Sequence, residues 1–140
     1  MKKPTYLADG IIIASSTAYL ADVDRYLDQK MTEAGVDESA RADIAISLSE
    51  LVNNAIIHGN KKDKSKTVEV RFALKNSRLK ITVEDQGTGF NPGELANPID
   101  DDNLLKEVGR GLFIVKNFVD EVNYKRSNSG GTIVEIIKNL

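Results

Sequence analysis

"ELVNNAIIHGN", residues 50–60, places a carboxylate and two amides in a stretch whose apolar spacing is that of a buried helix. From Ile44 onward, Leu48, Leu51, Val52, Ala55 and Ile56 follow at steps of four, three and one, which lays them along one stripe of an α-helix. At about 100° per residue, Glu50, Asn53 and Asn54 lie within roughly one third of a turn on the other side. Asparagine is a mediocre helix former, so two in succession deep in a good helix ask for a reason beyond local structure. Ile46 and Ile57 share the polar side, which suits a partly closed cleft; a plain solvated face near the helix end is the other reading. The helix is predicted to begin around Asp37, whose carboxylate can accept from the free amides of the first turn, and to stop at Gly59 and Asn60.

Two alternating stretches follow. "TVEVRFALK" sets Val68, Val70, Phe72 and Leu74 on one side with Glu69, Arg71 and Lys75 on the other, and "RLKITVED" repeats the pattern with Leu79, Ile81 and Val83. The short link at Asn76 and Ser77 makes them an antiparallel hairpin. Before the central helix, "TYLADGIIIAS" reads as a first strand and "STAYLADVDRYLDQKMTEAGV" as a helix closing near Gly35. After the hairpin, "TGFNPGELANPIDDDNLLKEV" between Gly87 and Gly109 has little periodicity and reads as a long mobile loop, a length that is usually functional or disordered. "GLFIVKNFVDEV" then reads as a third helix, and "VNYKRSNSGGTIVEIIKNL" as a closing hairpin turned at Ser129, Gly130 and Gly131. The order β-α-α-β-β-loop-α-β-β implies an α+β fold, a two-layer sandwich with helices on one face of a mixed, mainly antiparallel sheet.

At 140 residues the chain fits one domain, with 41% hydrophobic and 29% charged residues, which is ordinary for a globular protein. The absence of cysteine excludes a disulfide framework, a thiolate metal site and a cysteine nucleophile. Apolar runs such as "GIIIA" and "LFIV" are too short to span a bilayer, and the start "MKKPTYLADG" is not a secretory signal, so an intracellular, cytoplasmic location is expected. A net charge of −2 gives little support to nucleic-acid binding.

Three groups carry candidate chemistry. Glu50, Asn53 and Asn54 are the first. In "EDQGTGF", Asp85 ends a strand, and Gly87 and Gly89 let backbone approach a ligand closely or make a tight turn. In "GRGLF", Gly109 and Gly111 open a helix whose free amides favour a phosphate. The dinucleotide fingerprint fails because Ile114 stands where its third glycine belongs, and no phosphate-binding Gly-x4-Gly-Lys-Ser/Thr occurs. His58, the only histidine, reads as a cap or packing residue, and "DDDN" at 100–103 lacks the spacing of an EF-hand.

In this order the motifs resemble the GHKL nucleotide-binding superfamily, which includes gyrase and histidine kinase catalytic domains. "ELVNNAIIHGN", "VEDQGTGFNP" and "GRGLFIVKNFVDEV" are most similar to the anti-sigma-factor serine/threonine kinases, and the match extends over nearly the whole chain, read as one histidine-kinase-like ATP-binding domain over residues 1–140. The resemblance implies that Glu50 is the general base and that Asn54 is the protein ligand of Mg²⁺ on the phosphates of ATP. It implies that Asp85 accepts from the adenine amino group, with Gly87 and Gly89 close to the base and Thr132 nearby. Gly109 and Gly111 would give amides to the phosphates, Asn53 would touch the phosphate region, and Lys106 or Arg110 would neutralise the γ-phosphate from a lid. The implied partners are an antagonist protein as substrate and a sigma factor, with a homodimer as the assembly and neither nucleic acid nor membrane involved. A histidine kinase ATP-binding half and a nucleotide-gated binding module are the alternatives. The first lacks a helical hairpin bearing a phosphoacceptor histidine, and the second has no use for Glu50.

Overall fold

The computed structural model describes residues 3–87 and 111–140. The predicted loop at 88–108, and with it Gly89 and Lys106, lies outside the described residues, as do Gly109 and Arg110. The strands are β1 (Thr5–Leu7), β2 (Gly10–Ala14), β3 (Thr67–Lys75), β4 (Arg78–Asp85), β5 (Glu121–Arg126) and β6 (Thr132–Asn139). Between them run α1 (Leu20–Glu33), α2 (Glu38–Asn54) and a helix α3 that is described over 111–116. The sheet order is β1-β2-β3-β4-β6-β5. Every neighbouring pair is antiparallel, so the expected mixed sheet is corrected to an antiparallel one among the described strands.

The alternation read from β3 and β4 is the one observed. Val68, Val70, Leu79, Ile81 and Val83 are buried, with Phe72 and Leu74 packed at the margin of the same core. Asn76 and Ser77 both take positive φ, 52° and 61°, the two left-handed positions that let a two-residue turn follow the twist of its strands. The stripe Ile44, Leu48, Leu51, Val52, Ala55 and Ile56 is buried against this face. Fully burying an aliphatic side chain of this kind contributes about 1.5–3 kcal/mol, and the stripe anchors α2 across the sheet. Asp37 caps α2, its Oδ1 accepting from Ala40 N at 2.7 Å.

Three expectations change. The single first strand is a hairpin: Leu7 pairs with Gly10, and Ala8 and Asp9 make the turn. Gly10 is required there because a Cβ would run into the Val70 carbonyl. The third helix does not continue through 122. It ends near 116, where Asn117 Nδ2 turns back onto Phe113 O at 2.9 Å, and the chain then joins β6 through Asp120 N donating to Ile137 O at 2.8 Å. Val122, read as helical, belongs to β5. Lastly, the central helix stops at Gly59 as expected, but its last five residues, Ala55–Gly59, wind as a π-helix. Such π segments are rare and are frequent at functional sites.

Candidate functional site

Glu50 and Asn54 are four residues apart on α2 and therefore share a face. Across from them comes the start of the described part of α3. A Cβ placed on Gly111 would lie 2.9 Å from Glu50 Oε2 and 3.2 Å from Asn54 Nδ2. Glycine here lets the α3 backbone come close without displacing the tips of both side chains. Asn54 Nδ2 is buried and has no hydrogen-bond partner among the described residues. Orphaned buried amides cost free energy and are rare without a ligand or water to complete them. Asn53 is half-buried one position round the helix. Ile46 is 43% exposed and lines a groove of about 480 Å³ between α1 and α2, shared with Leu20, Val23, Leu48 and Glu50, while Ile57 packs against the core.

The second part of the site is built around Asp85, which is 3% exposed at the end of β4. Its Oδ1 accepts from Gly87 N at 2.9 Å and from Thr132 N at 3.2 Å. No described residue donates to Oδ2. Burial pushes the carboxyl above its ordinary value, against the opposing pull of the Gly87 and Thr132 amides and of Lys66. Three buried glycines close around it. A Cβ on Gly59 would strike Asp85 Oδ2, one on Gly131 would strike the Asp85 carbonyl, and one on Gly87 would strike the Gly59 carbonyl. The π-helix, the end of β4 and the start of β6 thus meet at one carboxylate whose Oδ2 accepts from none of the described residues.

The structure brings Glu50, Asn54 and Gly111 together at one end, and Asp85, Gly87 and Thr132 at the other. Between them runs the segment from Glu50 to Gly59, nine residue steps or roughly 13 Å of helix at about 1.5 Å per step. Gly59 and Gly131 belong to the site, although their sequence context read only as a helix stop and a hairpin turn. The signal that could have found Gly131 is its place directly before Thr132, with a second glycine before it. Gly59 carried no separate signal. Among the described residues no cluster of three His, Cys, Asp or Glu gathers to hold a metal, and no helix is long and apolar enough to cross a membrane.

The histidine kinase-like ATPase domain family matches residues 13–138. The chain belongs to that family. Within it, the chain is 35% identical over 125 residues to the anti-sigma F factors of Anoxybacillus flavithermus and Bacillus thuringiensis, covering 88% of this chain and 78% of each relative. A solved structure of the RsbU and RsbW domains of a Mycobacterium tuberculosis protein superposes on 99% of this ATPase domain with a TM-score of 0.69 at 23% identity, the chain spanning 33% of that longer protein. A mycobacterial sensor histidine kinase gives a TM-score of 0.52 at 18% identity over 71% of this chain and 74% of that one. These neighbours share the antiparallel sheet and helical layer of the histidine kinase-like ATPase fold.

Proposed function

We propose that the protein is an ATP-dependent serine/threonine protein kinase of the anti-sigma-factor type, built as one domain, which phosphorylates an antagonist protein and sequesters a sigma factor. The observation that carries this reading is the pairing of two unlike ends on one helical segment. One end offers a carboxylate, an amide unpartnered among the described residues, and close backbone; the other offers a buried carboxylate, with an acceptor that no described residue fills, packed among glycines. The 35% identity to anti-sigma F factors supports the partner assignment.

In this reading Asp85 Oδ2 accepts from the exocyclic amine of adenine, and Oδ1 stays committed to Gly87 and Thr132, which fixes the carboxylate's orientation. Gly59, Gly87 and Gly131 let three backbone segments close directly around that carboxylate. The Asn54 amide suits one hard cation, since Mg²⁺ keeps most of its waters and needs few protein oxygens beside the phosphates. The O and N ends of such an amide are assigned from their surroundings, so its oxygen can be the end presented. Bound Mg²⁺ would supply charge neutralisation at the phosphates, the main requirement of phosphoryl transfer. Glu50 takes the proton from the acceptor hydroxyl, which reaches it along the α1/α2 groove. Asn53 and the residues Gly89, Lys106, Gly109, Arg110 and Gly111 are assigned to the nucleotide by resemblance, and a cytoplasmic homodimer is the expected assembly.

The deciding experiment is incubation with labelled ATP and candidate antagonist proteins from a neighbouring gene, followed by phosphosite mapping. Label on an antagonist serine or threonine is the expected result. Label retained on this chain's His58, ATP hydrolysis without transfer, or nucleotide binding without either would each replace the proposal.

A further inference from the structure

Asn60 looks in the sequence like part of a helix stop, a role asparagine fills by tolerating left-handed backbone. Its backbone does not need that tolerance: φ is −87°, an ordinary right-handed value, and the positive φ angles fall on Lys61 and Lys62, at 53° and 60°. The identity of residue 60 is explained by its side chain instead. Asn60 is 1% exposed, and its amide has partners at both ends. Nδ2 donates to Thr67 O at 2.9 Å, at the start of β3. Oδ1 accepts from Gln86 N at 2.8 Å, the first amide after Asp85. Gln86 completes the loop by accepting on Oε1 from Thr67 N at 2.7 Å. Val68 and Asp85 are the last paired residues of the β3/β4 ladder at this end, so the Asn60 amide takes the place of the next backbone pairing.

We propose that Asn60 is a positioning residue for nucleobase recognition. By bolting the Asp85-Gln86-Gly87 turn to the end of the π-helix, it sets where the Asp85 carboxylate points and keeps the Gly59 carbonyl seated on Gly87. This rests on the reading of Asp85 as the adenine acceptor. The side chain lies at the Asp85 end, away from Glu50 and Asn54, so its loss acts on the base and leaves the triphosphate end intact. Asn60→Asp keeps an acceptor for Gln86 N but faces the Thr67 carbonyl with a second oxygen; Asn60→Ala keeps neither bond.

The test compares ATP and GTP affinities by calorimetry, together with KM and kcat for phosphotransfer, in wild type, Asn60→Asp and Asn60→Ala. The expected result is a loss of about tenfold in ATP affinity for the alanine variant, with the aspartate variant between it and wild type, GTP affinity unchanged, and kcat at saturating ATP within about twofold of wild type. ATP and GTP affinities falling in parallel, or an undiminished ATP preference in a folded variant, overturns the role of Asn60 alone. A wild-type protein that binds GTP as tightly as ATP overturns the Asp85 reading beneath it. Should the alanine variant not fold, amide exchange in the wild-type protein decides: Gln86 N–H is expected to be protected, and exchange as fast as in the exposed 61–65 turn contradicts the bolt.

Discussion

On the proposed reading of Asp85 as the adenine acceptor, its burial would serve binding at the expense of stability. Because burial raises its pKa above 3.8, the folded protein holds that proton more tightly than the unfolded chain does. The stabilising contribution of the protonated form is therefore complete below about 3.8 and lost as pH rises through the higher folded value, so at neutral pH the buried charge opposes folding. In Asp85→Asn, Oδ1 can still accept from Gly87 and Thr132. That variant is expected to melt higher than wild type at neutral pH, with the gap closing as pH falls toward 3.8, while its ATP affinity drops by about 1–3 kcal/mol. Melting curves across pH and titration calorimetry test the two halves separately; a variant that is less stable at neutral pH and binds ATP normally would refute both. Glu50→Gln separates chemistry from binding at the opposite end. Phosphotransfer should fall about 10²- to 10⁴-fold with nucleotide affinity nearly unchanged, and equal turnover in the variant would remove Glu50 as the base.

At the scale of the element, the instructive segment is the π-helix at Ala55–Gly59. The apolar stripe through Ile44, Leu48 and Leu51 was legible in the sequence because burial against a sheet imposes a period. The change of winding after Asn54 was not, since it follows from tertiary contacts: Gly59 is pressed against Asp85, and Ser15 Oγ approaches the Ile56 carbonyl at 3.5 Å. The same limit explains why the helical period in the sequence runs past the end of α3. Leu112, Val115, Val119 and Val122 satisfy a helical period, but Asp120 is held by Ile137 O and by Asn139 N, and those partners are distant in sequence. For the π-helix the prediction is steric. Gly59→Ala places a methyl on the Asp85 carboxylate, which must turn away from its two amides or displace the helix end. ATP affinity should fall at least tenfold, with Glu50-dependent chemistry on bound nucleotide retained. Normal ATP affinity in Gly59→Ala, measured by the same calorimetry, would show that the Asp85 carboxylate is not where the base binds.

Across the whole molecule, local alternation made the strands readable, but their order in the sheet was not, because β6 enters between β4 and β5 through pairings that no short stretch encodes. That insertion has an electrostatic consequence on the face opposite the core. Glu135, 7% exposed, lies between Thr82 of β4 and Asn123 of β5, and takes a hydrogen bond from Asn123 Nδ2 at 3.2 Å with Lys80 Nζ at 3.3 Å and Lys125 Nζ at 3.9 Å. Burial alone would raise its pKa, but Asn123 and the two lysines outweigh it and hold the carboxyl below its ordinary 4.5. The sign is the reverse of that at Asp85: the stabilisation is present above about 4.5 and is lost as pH falls through the folded value. Both lysines are half or more exposed, so their attraction is screened, and Glu135→Gln should cost about 1 kcal/mol at neutral pH rather than the several expected of a fully buried pair. The difference in melting temperature between wild type and Glu135→Gln should shrink as the solution is acidified below 4.5 and narrow at neutral pH in high salt. A difference that stays constant through both changes would mean that Glu135 joins β4, β6 and β5 by packing alone, without its charge.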